Sequence, residues 1–184
     1  MELRVVLMGL LLGGPRHGYE LKRLLEKDLS PLFSVSSAPI YYTLRRLEEE
    51  GLVVKWTEVK GKRPQRYRYS LTPKGREEAK RLILRNITEI QRPLFNLDIS
   101  LYFLNFVPSE EVLPLLRERF KELRKLRFLL RKQAEELRGD SSRRREAIIA
   151  AHNLRGVEAE IEFVKDLMEE FREEATEREA HDRR

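Results

Sequence analysis

The chain has 184 residues, of which 41% are hydrophobic and 37% charged. Ordinary globular chains carry about 25% charged residues, and a surplus of this kind goes with helices that set solvated faces against apolar stripes. Cysteine is absent and histidine occurs only as His17, His152 and His181, which excludes disulfides, thiolate nucleophiles and cysteine-based metal sites and leaves almost nothing for a histidine-rich centre. No metal and no cofactor is expected.

The formal charge of +6 is unevenly distributed. Residues 1–85 hold 18 Lys+Arg against 10 Asp+Glu, whereas residues 86–184 hold 19 against 21. A basic module joined to a near-neutral one points to an anionic partner for the first alone. Nucleic acid is the commonest such partner and a membrane surface is its rival. A thermally stable protein laced with surface ion pairs would explain the abundance of charge, but not its asymmetry.

Val5–Leu12 is an apolar run near the N-terminus, but Glu2 opposes Arg4 ahead of it and Pro15-Arg16-His17 follows in place of a small-residue cleavage site. Leu94–Val107 holds ten apolar residues in 14, short of the roughly 20 that a membrane span needs. The expectation is a soluble cytoplasmic protein without a membrane segment.

In chain order, residues 2–13 read as a short buried helix stopped by Gly13-Gly14-Pro15. A second helix starts at Gly18-Tyr19, with Leu21, Leu24 and Leu25 on one face, and ends at Ser30-Pro31. Ser36-Ser37-Ala38-Pro39 combines a serine N-cap with a proline for the first turn. The helix it opens runs to Glu50, with Gly51 beyond it. Ile40, Leu44 and Leu47 share its core face, which leaves Tyr41, Tyr42, Arg45 and Arg46 outside. From Leu52 the period changes to 2. Leu52, Val54 and Trp56, and then Tyr67, Tyr69 and Leu71, predict a two-stranded hairpin with one apolar and one basic face, turning at Gly61-Lys62-Arg63-Pro64. Thr72-Pro73 starts the next helix.

Three short helices followed by a basic hairpin form a winged helix-turn-helix pattern. His17-Gly18-Tyr19-Glu20-Leu21, the run from Ile40 to Leu52, and Tyr69-Ser70-Leu71-Thr72-Pro73-Lys74-Gly75 resemble the PadR family of transcriptional regulators over roughly residues 3–80. The resemblance implies a mainly α fold: a winged helix DNA-binding domain at 1–85 with a two-stranded β wing, and a long-helix dimerisation domain at 86–184. It also implies that the second helix, with Tyr19, lies near the DNA backbone, and it leaves room for a small hydrophobic or aromatic effector.

The expected DNA-contacting set is Tyr19, Ser36, Ser37, Tyr41, Tyr42, Arg45, Lys62, Arg63 and Arg66. A helix entering the major groove places its first residues at base edges and its backbone amides toward phosphate. The cations at the wing tip suit phosphate or the minor groove. Simpler roles stand beside these. Either serine can serve only as a cap, one of Tyr41 and Tyr42 can belong partly to the core, Arg46 can be a solvated partner of Glu49 or Glu50, and His17 reads as a satisfied turn histidine.

In the second half, Pro108-Ser109-Glu110-Glu111 reads as a helix start with Ser109 as cap. An apolar stripe of Val112, Leu116, Phe120, Leu123, Leu126, Leu130 and Leu137 follows it. Gly139-Asp140-Ser141-Ser142 breaks the stripe, with Ser142 available to cap the last helix. There Leu154, Val157, Ile161, Val164, Met168 and Phe171 alternate spacings of 3 and 4, a heptad seam that packs within the chain or against a second subunit. The seam is assigned to a homodimer, and residues after about Ala175 are expected to fray. Leu94–Val107 reads as core between the two domains.

The chain is therefore expected to be a homodimeric regulator, a repressor, that binds a double-stranded DNA operator. The alternative is a non-specific or architectural protein using the same basic surface. An enzyme is disfavoured because there is no glycine-rich phosphate loop, no metal-ligand cluster and no locally supported Ser-His-Asp order.

Overall fold

The computed structural model describes residues 3–29, 36–58, 66–90 and 95–182. The chain divides into two compact units, Met1–Gln91 and Arg92–Arg184.

The first unit is built on α1 (Leu3–Leu12), β1 (Arg16–His17), α2 (Gly18–Arg23, continued by a π-helical stretch Leu24–Leu29), α3 (Ile40–Glu49), β2 (Val53–Glu58), β3 (Arg66–Leu71) and α4 (Pro73–Thr88). Leu3, Leu7 and Leu11 recur one turn apart on α1. They meet Leu21 and Leu25 of the second helix and Ile40, Leu44 and Leu47 of α3 in one core, closed by Leu52, Val53, Tyr69, Leu71 and Ala79. Helical spacing of apolar residues thus delivers one buried face from each helix.

The helix ends follow local chemistry. After α3, Gly51 takes φ +70°, its N–H donates to Glu48 O at 2.9 Å and Leu52 N–H donates to Leu47 O at 2.9 Å. This paired closure needs the left-handed conformation that glycine adopts without strain. Thr72 caps α4, its Oγ1 accepting from Gly75 N at 2.9 Å, with Pro73 in the first turn. The expected serine cap of α3 does not form. Pro39 is the cap position and no side chain bonds the helix end there, because Ser36 Oγ accepts from Ala38 N and Ser37 Oγ donates 2.6 Å to Glu26 instead.

The wing also departs from its reading in two ways. The sheet has three strands in the order β1-β3-β2, all antiparallel, because the two residues Arg16 and His17 pair with Tyr69 and Arg68. The face assigned to β2 is inverted. Val53 lies opposite Leu71, Lys55 opposite Tyr69 and Thr57 opposite Tyr67, and cross-strand partners share a face. Val53 is therefore buried, while Val54 and Trp56 sit on the exposed side opposite Ser70 and Arg68. Leu52, buried just before the strand, belongs to the bend and not to the alternation.

Arg4 of α1 forms a two-pronged ion pair with Glu50 at the end of α3, at 2.9 and 2.7 Å. The Arg4 hydrogen bonds hold the Glu50 carboxyl below its ordinary range. A depressed carboxyl contributes stability above its unfolded-state titration and loses it as pH falls through the folded one. Arg4→Ala is expected to lower the unfolding temperature by a few degrees near neutrality, reflecting about 1 kcal/mol or less for a pair this exposed. The gap from wild type closes in acid, and thermal melts across the acid range check it.

The second unit contains α5 (Asn96–Tyr102), a 3-10 turn (Leu104–Phe106), α6 (Ser109–Leu137), a second 3-10 turn (Ser141–Arg143) and α7 (Arg144–Asp182). The helices α6 and α7 pack as an antiparallel hairpin. Val112 and Leu116 meet Leu167, with Leu101, Leu104, Met168 and Phe171 packed around them. Arg119 pairs with Glu160 at 2.5 Å and Arg131 with Glu158 at 3.1 Å across the hairpin. Gly139 turns the chain at φ +99°.

Three expectations are corrected here. Asp140 caps the 3-10 turn that leads into α7, its Oδ1 accepting from Ser142 N at 2.9 Å, so Ser142 is the capped residue there. The cap position of α6 is Pro108, not Ser109. The last helix runs through Asp182. The stretch Leu94–Val107 is not core: Leu94 lies outside the described residues, and Phe95, Ile99, Tyr102, Phe103, Phe106 and Val107 are exposed. Leu101 and Leu104 pack against the hairpin, and Leu97 is half-buried. Asp98 is exposed.

Candidate nucleic-acid interface

The helix α3 fixes its inner face with Ile40, Leu44 and Leu47, all fully buried. A helix so anchored must project its remaining residues outward. Tyr41 and Tyr42 are 57% and 60% exposed, so neither is part of the core. Arg45 and Arg46 stand beside them. Arg45 lies with its guanidinium 5.7 Å from the centre of the Tyr42 ring. It also reaches Glu49 at 3.5 Å, and Arg46 reaches the other oxygen of Glu49 at 3.7 Å. Long, exposed pairs of this kind hold little energy, so an incoming phosphate or base edge can displace them.

The start of α2 adjoins this face. A Cβ on Gly18 would meet Tyr41 Cε1 at 2.8 Å, so the Tyr41 ring rests on the bare backbone of Gly18. Next to it, the Tyr19 ring stacks on His17 at 5.6 Å, and the Arg66 guanidinium lies 5.2 Å from the Tyr19 ring centre. Tyr19 comes from α2 and Arg66 from the first position of β3, so the fold joins the helix-turn-helix to the base of the wing. Lys62 and Arg63 lie outside the described residues. Ser36 is exposed and Ser37 half-buried, both occupied by the local hydrogen bonds given above.

Some members of this surface were not read from the sequence. Lys55 Nζ donates to Glu48 Oε2 at 2.8 Å and lies 5.5 Å from the Tyr67 ring centre. That hydrogen bond holds the ammonium above its ordinary range. Tyr67 is exposed on the same face, while burial pushes the Tyr69 phenol up. The missing signal was the pairing of Val53 with Leu71, which assigns Lys55 to the tyrosine face.

The surface therefore combines aromatic rings with guanidinium and ammonium groups on an exposed helix and a hairpin. It offers cation and hydroxyl donors to phosphate and base edges. Among the described residues, no group of three or more His, Cys, Asp or Glu is placed to hold a metal ion. No described helix is long and apolar enough to cross a membrane.

An outward-facing helix packed on two others, followed by an antiparallel hairpin, defines a winged helix-turn-helix domain in a mainly α protein. Residues 6–81 match the family model described as the transcriptional regulator PadR-like family. Over these residues the chain is similar to the PadR-like transcriptional regulators. The negative transcriptional regulator PadR of Bacillus subtilis (strain 168) is 25% identical over 122 residues, a match covering 65% of this chain and 66% of that one, just under two thirds of its length. The crystal structure of Bacillus subtilis PadR in complex with operator DNA superposes with a TM-score of 0.74 at 19% identity, over 93% of this chain and 99% of that one. The Vibrio cholerae virulence activator AphA superposes at 0.71 with 20% identity, over 93% and 98%. At these identities the two superpositions establish the fold.

Proposed function

We propose that the chain is a homodimeric regulator that binds a specific double-stranded DNA operator in the cytoplasm, represses transcription there and has no catalytic role. The observation that carries the reading is the contiguous exposed set Tyr41, Tyr42 and Arg45 on α3, adjoining Tyr19 and Arg66, in the basic half of the chain. In this reading α3 enters the major groove, Tyr19 and Arg66 lie along the backbone, and Lys62 and Arg63 extend the wing contact. Ser36 and Ser37 contribute near the helix start. Repression follows the relative described as a negative regulator. A small aromatic acid is the effector class to test, because Bacillus subtilis PadR has been crystallised with p-coumaric acid.

The second unit serves as the dimerisation module. Ile161 and Val164 of the seam are buried within the chain itself, and Leu154, Val157, Met168 and Phe171 are half-buried. A second subunit would complete the cover of these four, together with Phe128, Leu129, Ile148 and Phe163, which are exposed. Two wings held in this way reach half-sites about one DNA turn apart, roughly 34–36 Å.

The test is footprinting on the DNA upstream of the chain's own gene, with binding measured over a salt series against unrelated duplex. A two-fold footprint, two chains per site and a preference of about 10³ or more support the reading. Equal affinity for unrelated duplex would replace it with the architectural alternative.

A further inference from the structure

His17 sits where α2 begins, and its ring is only 12% exposed. Its Nε2 lies 3.0 Å from Glu58 Oε2 and its Nδ1 lies 3.2 Å from the carbonyl oxygen of Tyr67. Both neighbours are acceptors. A neutral imidazole has a single N–H, so either tautomer turns a lone pair toward one of them; the imidazolium donates to both. Glu58 and Tyr67 are the two sides of the wing at its neck. Glu58 is the last described residue of β2, and Tyr67 is the second of β3, paired with Thr57.

The other groups around the ring agree with this arrangement. From β3, Arg68 approaches Glu58 at 3.6 Å, and Arg66 lies over Tyr19. From α2, Tyr19 stacks on the ring, and Glu20 accepts from the His17 backbone N–H at 2.8 Å, not from the ring. Arg16, on β1, directs its Nε away to Leu10 O at 3.3 Å.

We propose that His17 is a positioning residue for the wing: its imidazolium bridges Glu58 and the Tyr67 carbonyl, fixing the neck of the hairpin against the helix-turn-helix, and loss of its proton releases one side. The device thereby makes wing placement, and with it DNA affinity, proton-dependent. The consequence for affinity rests on the DNA-binding reading, whereas the clamp itself is measurable in the free protein.

The experiment uses the full chain, following the His17 ring nitrogens and the backbone amide exchange of Glu58, Tyr67 and Arg68 by NMR from about pH 5 to 8, the range in which histidine changes charge. Both ring nitrogens should be protonated at the acid end. Neck protection, corrected for intrinsic exchange, should fall roughly tenfold toward the alkaline end, as for the loss of one charge-assisted hydrogen bond. His17→Gln should hold the alkaline value at every pH while the amides of Leu44 and Leu47 stay protected. Glu58→Gln, which leaves the ring in place, should flatten the same profile and carries the test if His17→Gln fails to fold. A single neutral tautomer throughout with flat neck protection overturns the proposal, as does a variant that keeps the wild-type profile. On the footprinted duplex, wild type should bind tighter in acid and His17→Gln should lose that dependence. If the neck titrates but no duplex is bound at any pH, the DNA reading falls and the clamp stands.

Discussion

Gly75→Ala is expected to destabilise the first unit by about 3 kcal/mol or more, because it inserts volume where nothing can yield. A Cβ at this position would lie 1.9 Å from the carbonyl oxygen of Leu52 and 2.9 Å from its carbonyl carbon. Both are backbone atoms, so no rotamer change relieves the overlap. The same oxygen accepts from Thr72 N at 3.0 Å and from Thr72 Oγ1 at 3.3 Å. Moving α4 away to make room breaks the hydrogen bonds that dock its first turn onto the bend between α3 and β2. In a unit of this size, the loss lowers the melting temperature by more than about 10 °C. Gly9→Ala is the matched control: it lies inside α1 with nothing within 4 Å of the added carbon, so helix propensity alone acts and the change should be neutral or stabilising by up to ~1 kcal/mol. Thermal denaturation of the pair, followed by circular dichroism, decides the matter. Equal melting temperatures would show that α4 is free to back away.

The contrast between these glycines marks where the sequence was legible and where it was not. Periodicity placed Ile40, Leu44 and Leu47 on one face, and Thr72-Pro73 announced α4, because each signal is local. The strand Arg16–His17 was invisible: two residues carry no period, and they extend only because β3 passes beside them. The inverted face of β2 has the same origin. Leu52, Val53 and Val54 are three apolar residues in a row, and only the partner strand decides which points inward. The capping serines failed through competition, since a hydroxyl that can reach Glu26 or a nearby amide is lost to the helix end. Between α6 and α7, both the N–H and the hydroxyl of Ser142 donate to Asp140 Oδ1, at 2.9 and 2.6 Å, so its side chain is turned back toward the carboxylate. The heptad of α7 was correctly spaced, but spacing does not name the partner, and part of the seam is satisfied by α6 of the same chain. In the candidate interface, exposure of Tyr41, Tyr42 and Arg45 followed from the helix face. The Tyr19–Arg66 contact did not, because its members are 47 positions apart and are joined only by the fold.

Arg45→Ala is expected to weaken operator binding by at least tenfold, whereas Arg46→Ala changes it by less than about threefold, the difference corresponding to one good phosphate or base contact. The two arginines are adjacent, equally charged and both within reach of Glu49, so a purely electrostatic surface would treat them alike. Their geometry separates them. Arg45 is one turn beyond Tyr41 and Tyr42 and lies over the Tyr42 ring, which holds its guanidinium within the aromatic patch. Among the described residues no aromatic ring lies beneath Arg46, whose guanidinium makes a long pair with Glu49 at 3.7 Å. The manner of the loss identifies what Arg45 touches. If it binds phosphate, affinity for operator and unrelated duplex falls together and the salt slope shrinks by about 0.9, one counterion fewer released. If it reads a base, operator affinity falls alone and the preference over unrelated duplex narrows. Glu49→Gln supplies the converse, freeing both arginines and strengthening binding at low salt. Fluorescence anisotropy across a salt series, on operator and on scrambled duplex, measures all three variants at once. An Arg45→Ala protein that binds as tightly as wild type at every salt concentration would remove α3 from the interface.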